Sequence, residues 1–256
     1  MQRIEDGGVH SPGGFRIGYA ECGIKTTPGK PDVALIISER PASAAGTFTT
    51  NLFAAAPVQW CRSILPAADV RAVVVNAGNA NACTGEQGHR DVGSTAELVA
   101  ELAGCSPRQV CVASTGIIGH PLPMQKLESG VRAAFSSLGA ETVHARAAER
   151  AIMTTDTVPK ACAVRVAGPA GTYTVGGMAK GSGMIAPNMA TMLSFVTTDA
   201  ALDHQLLQKI TCRVTERTFN RVTVDGDTST NDSLFVLAGG ASGVRVTAEN
   251  AAPFEE

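Results

Sequence analysis

Apolar positions along the chain fall into two rhythms. Short runs rich in Val and Ile recur: "VALIIS" from Val33, "RAVVVN" from Arg71, "QVCVAS" from Gln109, "CAVRVA" from Cys162, "MLSFVTT" from Met192 and "LFVLAGG" from Leu234. Their length and β-branched content predict strands, several of them buried on both faces. Between them the period lengthens. In "MQKLESGVRAAFSSLG", Leu127, Val131, Phe135 and Leu138 share one helical stripe, and in "ALDHQLLQKITCRVTERTF" so do Leu202, Leu206, Ile210 and Val214. Asp203 is placed to cap the second of these helices, with Leu202 and Leu207 spaced as a hydrophobic staple. Two further helices are predicted, over "STAELVAELAG" from Ser94 and "HARAAERAIM" from His144. Strands and helices alternate irregularly, which predicts a mixed α/β chain without repeats.

Composition narrows the class. Of 256 residues, 44% are apolar but only 4% aromatic, so the core must be built from aliphatic side chains. That length suits one large domain or two small ones. A net charge of −2 argues against nucleic acid and anionic membranes as partners. No apolar run approaches the roughly 18 residues of a membrane span. The N-terminus, "MQRIEDGGVHSPGGF", lacks the pattern of a signal or transit peptide, which makes a cytoplasmic protein the expectation. The seven cysteines are odd in number and contain no C-x-x-C pair, so reduced and mostly buried thiols are expected.

Candidate chemistry is thinned by failed patterns. "GGMAKGSGM" is glycine-rich with a lysine but lacks the order of a nucleotide P-loop. "NAGNANACTGEQG", from Asn76 to Gly88, is either a tight loop in left-handed conformations or the lining of an active site. "VDGDTSTNDS" opens like a calcium loop but carries Thr230 and Val236 where Gly and Glu are required, so Asp225 and Asp227 read as turn residues, and no metal site is predicted. No G-x-S-x-G elbow occurs, and Cys83 with His89 is a weak dyad candidate.

Hydroxyl groups remain. "ASTGIIG", Ala113 to Gly119, ends a strand in Ser-Thr-Gly, where backbone N–H groups can be aimed outward as in an oxyanion hole. "TTDTVPK", Thr154 to Lys160, reads from its spacing as a helix terminating before Pro159. "KGSGMIAPNMATML", from Lys180, delivers Thr191 through a flexible approach into a strand. A threonine without a histidine partner can act as a nucleophile when its own α-amine is the base, with a pKa near 7.7–8.0. That would require the Ala190–Thr191 bond to be cut first.

Six of these segments, "FTTNLFAAAPV", "NAGNANACTGEQG", "ASTGIIGHPLPM", "AIMTTDTVPK", "KGSGMIAPNMATML" and "VDGDTSTNDS", taken in order, closely resemble the ornithine acetyltransferase family of arginine biosynthesis, also called glutamate N-acetyltransferases. The resemblance runs from Phe15 to about Gly240. It implies a fold of stacked β-sheets flanked by helices, similar to the self-processing aminopeptidase-like fold. It also implies a precursor that cleaves itself between Ala190 and Thr191, giving an α chain of residues 1–190 and a β chain from 191. Thr191 would then carry the acetyl group from N-acetylornithine to glutamate in a ping-pong reaction. Some family members also use acetyl-CoA as donor; no other cofactor is implied. Carried over by residue, Thr115 and Gly116 form the oxyanion pair, and Thr154, Lys180 and Thr191 bind substrate. Lys180 suits a substrate with an α-carboxylate. The α and β chains are expected to assemble into a larger oligomer.

Family members usually continue well beyond the "DGDTSTNDS" block, so residues 1–256 are expected to be one incomplete catalytic domain with open sheet edges. Two other readings stand beside acetyl transfer: an amide hydrolase or aminopeptidase on the same scaffold, and an inactive shortened form.

Overall fold

The computed structural model describes residues 1–184 and 192–256. Ala190 and Thr191 lie outside the described residues. Among the described residues, nine strands join one hydrogen-bonded network: β1 (Gln2–Arg3), β2 (Phe15–Ala20), β3 (Val33–Phe48), β4 (Ala67–Asn79), β5 (Val110–Ile117), β6 (Lys160–Gly168), β7 (Gly171–Lys180), β8 (Leu193–Thr198) and β9 (Ser233–Ala238). Six α-helices among the described residues accompany them: α1 (Ala56–Ile64), α2 (Gly85–Ala103), α3 (Met124–Ser136), α4 (Thr142–Ile152), α5 (His204–Arg217) and α6 (Ala252–Glu255). The order is β1-β6-β7-β8-β9-β3-β4-β5, with β2 pairing β3. The β4–β5 and β8–β9 pairs are parallel and the rest antiparallel.

The long strand β3 turns this network into stacked layers. Its first half pairs with β2 and β4; its second half, from Ser43, pairs with β9. Between them the β3–β4 register breaks, at Ile37 to Ala42. Pro41 falls in this break, where a missing N–H is tolerated. Among the described residues, alternation then sorts the strand side chains into three large cores, beside a small fourth cluster of Ala55, Val58, Ala80 and Ala82. Ala34 and Ile36, Val73 and Val75, Met178, Phe195 and Phe235 meet between the layers. Val33, Leu35, Val74 and Val112 face outward onto α2 and α3. Val166, Tyr173, Leu234 and Val236 face the other way, onto Leu207 and Ile210 of α5. Strands buried on both faces explain the continuous Val/Ile runs.

The predicted strands are all present, and among the described residues β1, β2, β7, α1 and α6 are additions to the predicted elements. The glycine-rich "GGMAK" is strand. Gly176 is required there because a Cβ would lie 2.1 Å from the carbonyl oxygen of Gly8. Asp203 caps α5 as expected, accepting from the Gln205 and Leu206 amides at 2.9 and 3.1 Å, and Leu202 and Leu207 are buried in one cluster. The buried stripe of α5 is rotated from the one predicted. Leu207, Ile210, Thr211 and Thr215 point inward, while Leu206 and Val214 flank them, because two threonines fold their hydroxyls back onto the helix carbonyls. The thiols also differ from expectation: Cys61 and Cys111 are buried, but Cys83, Cys162 and Cys212 are exposed. Cys162 alternates to the outer face of its strand, opposite the inward Ala163. Among the described residues, no helix is long and apolar enough to cross a membrane.

Candidate active site

A cleft of about 860 Å³ opens where β4, β5 and β7 end. It is lined by Gly78, Thr115, Gly116, Thr154, Asp156, Lys180 and the segment Ser229–Asn231, among others. Four residues singled out from separate parts of the sequence, Thr115, Gly116, Thr154 and Lys180, therefore meet in one place. The fifth, Thr191, is outside the described residues, but its chain neighbour Met192 is beside the cleft. Its amide donates to Asp232 Oδ1 at 2.6 Å and its carbonyl accepts from Ser233 N at 3.1 Å, next to cleft-lining Asn231.

The β4–β5 wall is backbone in close approach. Gly78 pairs with Gly116, and the register slips beyond them. Gly116 has φ +138°, and a Cβ on it would sit 2.3 Å from the Gly78 carbonyl carbon. Only glycine fits such a position. The segment from Asn76 resolves both of its readings. Gly78, Asn81, Cys83 and Gly85 have positive φ, as a tight loop needs, and Gly78 and Ala80 also line the cleft. Asn side chains hold this loop: Asn76 Nδ2 donates to the Asn79 carbonyl at 2.8 Å, Ser114 Oγ to Asn76 Oδ1 at 2.7 Å, and Asn79 Nδ2 to the His120 and Pro121 carbonyls. Cys83 and His89 are exposed and do not line the cleft.

A helix does end before Pro159, as the spacing of "TTDTVPK" predicts, and the same segment forms the opposite wall. Helix α4 stops at Ile152, and Met153 to Thr157 together with Pro159 form cleft wall. The anchor is Asp156, whose side chain is fully buried. Its carboxylate accepts from Lys160 Nζ at 2.6 Å, the Gly181 amide at 2.7 Å and the Thr154 amide at 3.3 Å. Burial alone would raise this carboxyl, but the lysine and amides outweigh it and hold the carboxyl below its usual range. Lys180 ends β7 at 3% exposure. Burial lowers its ammonium from the ordinary lysine value; Asp156 and Asp232 oppose the shift and Lys160 adds to it. A dry cation at the base of a cleft suits a ligand carboxylate, since a charge-assisted pair gains strength away from water.

The "DTSTND" segment carries more of the site than the sequence suggested. Asp227 N donates to Asp225 Oδ1, which bears out the turn, but residues 229–233 are buried. Asn231 Nδ2 donates to the Ala80 and Ser114 carbonyls at 2.6 and 2.8 Å, tying this segment to the glycine wall. Asp225 Oδ2 accepts from Met184 N at 2.6 Å. Lys25, also lining the cleft, donates to the carbonyls of Pro31, Arg150 and Ala151, and its burial lowers its pKa to about 8. Asp156, Asp232 and Lys25 are single charged residues in polar stretches, and spacing gave no signal for them.

Comparison with known proteins identifies the family of the chain. A profile of the ArgJ family matches residues 16–256. The arginine biosynthesis bifunctional protein ArgJ of Symbiobacterium thermophilum is 55% identical over 238 residues, covering 93% of this chain and 59% of that protein. Its namesake from Geobacter sulfurreducens is 50% identical over 237 residues, with 92% and 59% coverage. The chain thus spans 59% of the length of these curated relatives. Among solved structures, ornithine acetyltransferase from Mycobacterium tuberculosis, complexed with ornithine, aligns with a TM-score of 0.67 and 41% identity, over 73% of this chain and 97% of that chain. An L-aminopeptidase D-Ala-esterase/amidase from Ochrobactrum anthropi, a variant of the Ntn hydrolase fold, aligns with a TM-score of 0.58 at 13% identity over 93% of this chain and 75% of its own, a likeness of fold alone.

Proposed function

The chain belongs to the ArgJ family, and from that premise we propose that its cleft transfers an acetyl group from N-acetylornithine to glutamate through Thr191. The observation that carries this reading is the convergence of Thr115, Gly116, Thr154 and Lys180 on one cleft, with Met192 bonded at its edge. The first step is self-cleavage. The Thr191 hydroxyl attacks the Ala190 carbonyl, the acyl group shifts from nitrogen to oxygen and so frees the α-amine, and water then hydrolyses the ester to the Ala190 carboxylate and the Thr191 hydroxyl. A second observation supports this step. Nearly three quarters of this chain matches nearly the whole of the solved ornithine acetyltransferase chain. That solved chain therefore has about the length a cut before Thr191 would leave on the N-terminal side.

In the transfer itself, the α-amine takes the proton from the Thr191 hydroxyl as oxygen attacks the acetyl carbonyl. Backbone N–H groups at Thr115 and Gly116 receive the oxyanion. The α-amine returns the proton to the departing ornithine nitrogen. Glutamate's amine then attacks the acetyl ester, giving N-acetylglutamate and freeing Thr191. Lys180 pairs the α-carboxylate that donor and acceptor share, and the Thr154 hydroxyl supplies a polar contact. Acetyl-CoA is an alternative donor, and the two cleavage products assemble with each other and into a larger oligomer. The test is acyl acceptance: glutamate should accelerate loss of the acetyl group from the enzyme well beyond water, and Thr191→Ala should abolish both cleavage and acetylation. Equal loss with and without glutamate would assign the cleft to a hydrolase instead.

A further inference from the structure

The carboxamide of Asn231 joins parts of the cleft that lie far apart in the chain. It stands just before β9, lines the cleft and is 6% exposed. Its Nδ2 donates to the Ala80 carbonyl at 2.6 Å and to the Ser114 carbonyl at 2.8 Å, across 151 and 117 residues of chain. Its Oδ1 accepts from the Thr230 hydroxyl at 2.6 Å, and its backbone N–H donates to Ser229 Oγ at 3.1 Å. Only a carboxamide offers two such donors and an acceptor on one short side chain. An aspartate of the same shape would set an oxygen against two carbonyl oxygens, and a leucine would leave both carbonyls unpaired in a buried place.

The two carbonyls flank the wall assigned to the oxyanion. Ala80 follows Gly78 and Ser114 precedes Gly116, each by two residues, and those glycines pair in close approach. The Ser114 carbonyl shares one rigid peptide unit with the Thr115 N–H, so fixing the first fixes the plane of the second. Onward from Asn231, the chain holds the neighbour of the nucleophile. The Met192 N–H donates to Asp232 Oδ1 at 2.6 Å, and Ser233 N donates to the Met192 carbonyl at 3.1 Å. Consecutive residues, 231 to 233, thus bond to the Thr115–Gly116 wall and to Met192. We propose that Asn231 is a positioning residue, whose carboxamide sets the spacing between the Thr191 nucleophile and the Thr115–Gly116 wall. The inference rests on the acetyl-transfer reading of the cleft. Lys180, which that reading gives to the ligand carboxylate, stands on a different strand, β7. Loosening Asn231 should therefore slow the reaction and spare ground-state binding. Reacting atoms must come within about 3–3.5 Å, and a shift of about 1 Å can cost about 100-fold in rate.

The test compares Asn231→Asp with wild type. Acetylation by N-acetylornithine and acetyl loss to glutamate are timed by intact mass and normalised to cleaved chain. Calorimetry gives the affinity for ornithine, and a cooperative melting curve shows that the variant is folded. Both half-reactions should slow about 100-fold while ornithine affinity stays within about threefold. A folded variant that stays uncut supports the proposal equally, since cleavage uses the same nucleophile and wall. Thr230→Val keeps both Nδ2 bonds and frees only Oδ1. It should slow both half-reactions about 5-fold, the worth of one hydrogen bond, and it decides the question where Asn231→Asp does not fold. A purely structural residue would lower the melting temperature and leave the rates of folded protein unchanged. Unchanged rates, or a loss of ornithine affinity as large as the loss of rate, would therefore overturn the proposal. A wild-type protein that never takes an acetyl group removes the acetyl-transfer reading and this inference with it. An active wild type with an equally fast variant removes the inference alone.

Discussion

The loop from Cys22 to Asp32 and the end of β7 each bury a charge near the same cleft, and they treat it differently. Asp32 is 0% exposed, and its carboxylate accepts from the amides of Cys22, Ile24 and Lys25 at 2.8, 2.7 and 3.1 Å and from Cys22 Sγ at 3.2 Å. Every one of these partners lies within ten residues of it in the chain. Such a carboxylate organises its own loop and has its lone pairs occupied. Lys180 is balanced instead by carboxylates from two remote segments, and it faces open cleft volume. A buried charge satisfied by its own loop is architecture. One held by distant charges beside a cleft has capacity left for a ligand.

The largest effect should fall on the backbone wall rather than on either charge. Gly116→Ala places a Cβ against the Gly78 backbone at a strained φ, and should cost on the order of 4 kcal/mol in chemical denaturation. A variant as stable as wild type would mean that this wall is looser than described. Asp32→Ala comes next. It orphans three amides and should cost about 3 kcal/mol, with the cleft residues affected only through the loop.

Lys180→Met should reverse that pattern. Stability should fall less than in Asp32→Ala, since the burial cost of the Lys180 ammonium is removed together with its attraction to the nearby carboxylates. Affinity for a ligand α-carboxylate should fall about 10- to 100-fold, measured by calorimetry. A Lys180→Met protein that unfolds like Asp32→Ala while binding normally would erase the distinction between the two regions.

The smallest effect concerns Lys25, which joins the two. Its folded pKa of about 8 lies below the ordinary 10.5, so between those values the unfolded chain binds the extra proton. Stability contributed through this group therefore rises with pH across that window, with its burial cost fully present below about pH 8. Urea titrations of wild type and Lys25→Met should show their difference shifting in favour of wild type from pH 8 to 10. A constant difference would place the Lys25 pKa elsewhere.

What the sequence made legible follows from locality. Val/Ile runs announce strands buried on both faces, and an aspartate before a helix announces its cap, because neither depends on distant residues. β7 escaped because its glycines answer to a remote segment: Gly176 is small for the carbonyl of Gly8. The path of β3 beyond Ser38 escaped because its second half pairs with β9, nearly two hundred residues on. At the site, Thr115, Gly116, Thr154 and Lys180 were named through resemblance, and only tertiary pairing brings them to one cleft. Asp156 and Asp232 had no signature of their own, since what distinguishes them is the lysine and backbone amides that the fold brings to their carboxylates.

The central claim is that this cleft serves a threonine nucleophile released by a cut before Thr191. Intact mass, recorded before and after incubation with N-acetylornithine, tests it most directly. The account predicts two chains, residues 1–190 and a chain beginning at Thr191, with one acetyl group gained by the latter and lost on adding glutamate. A single uncut chain that never gains an acetyl group would contradict it.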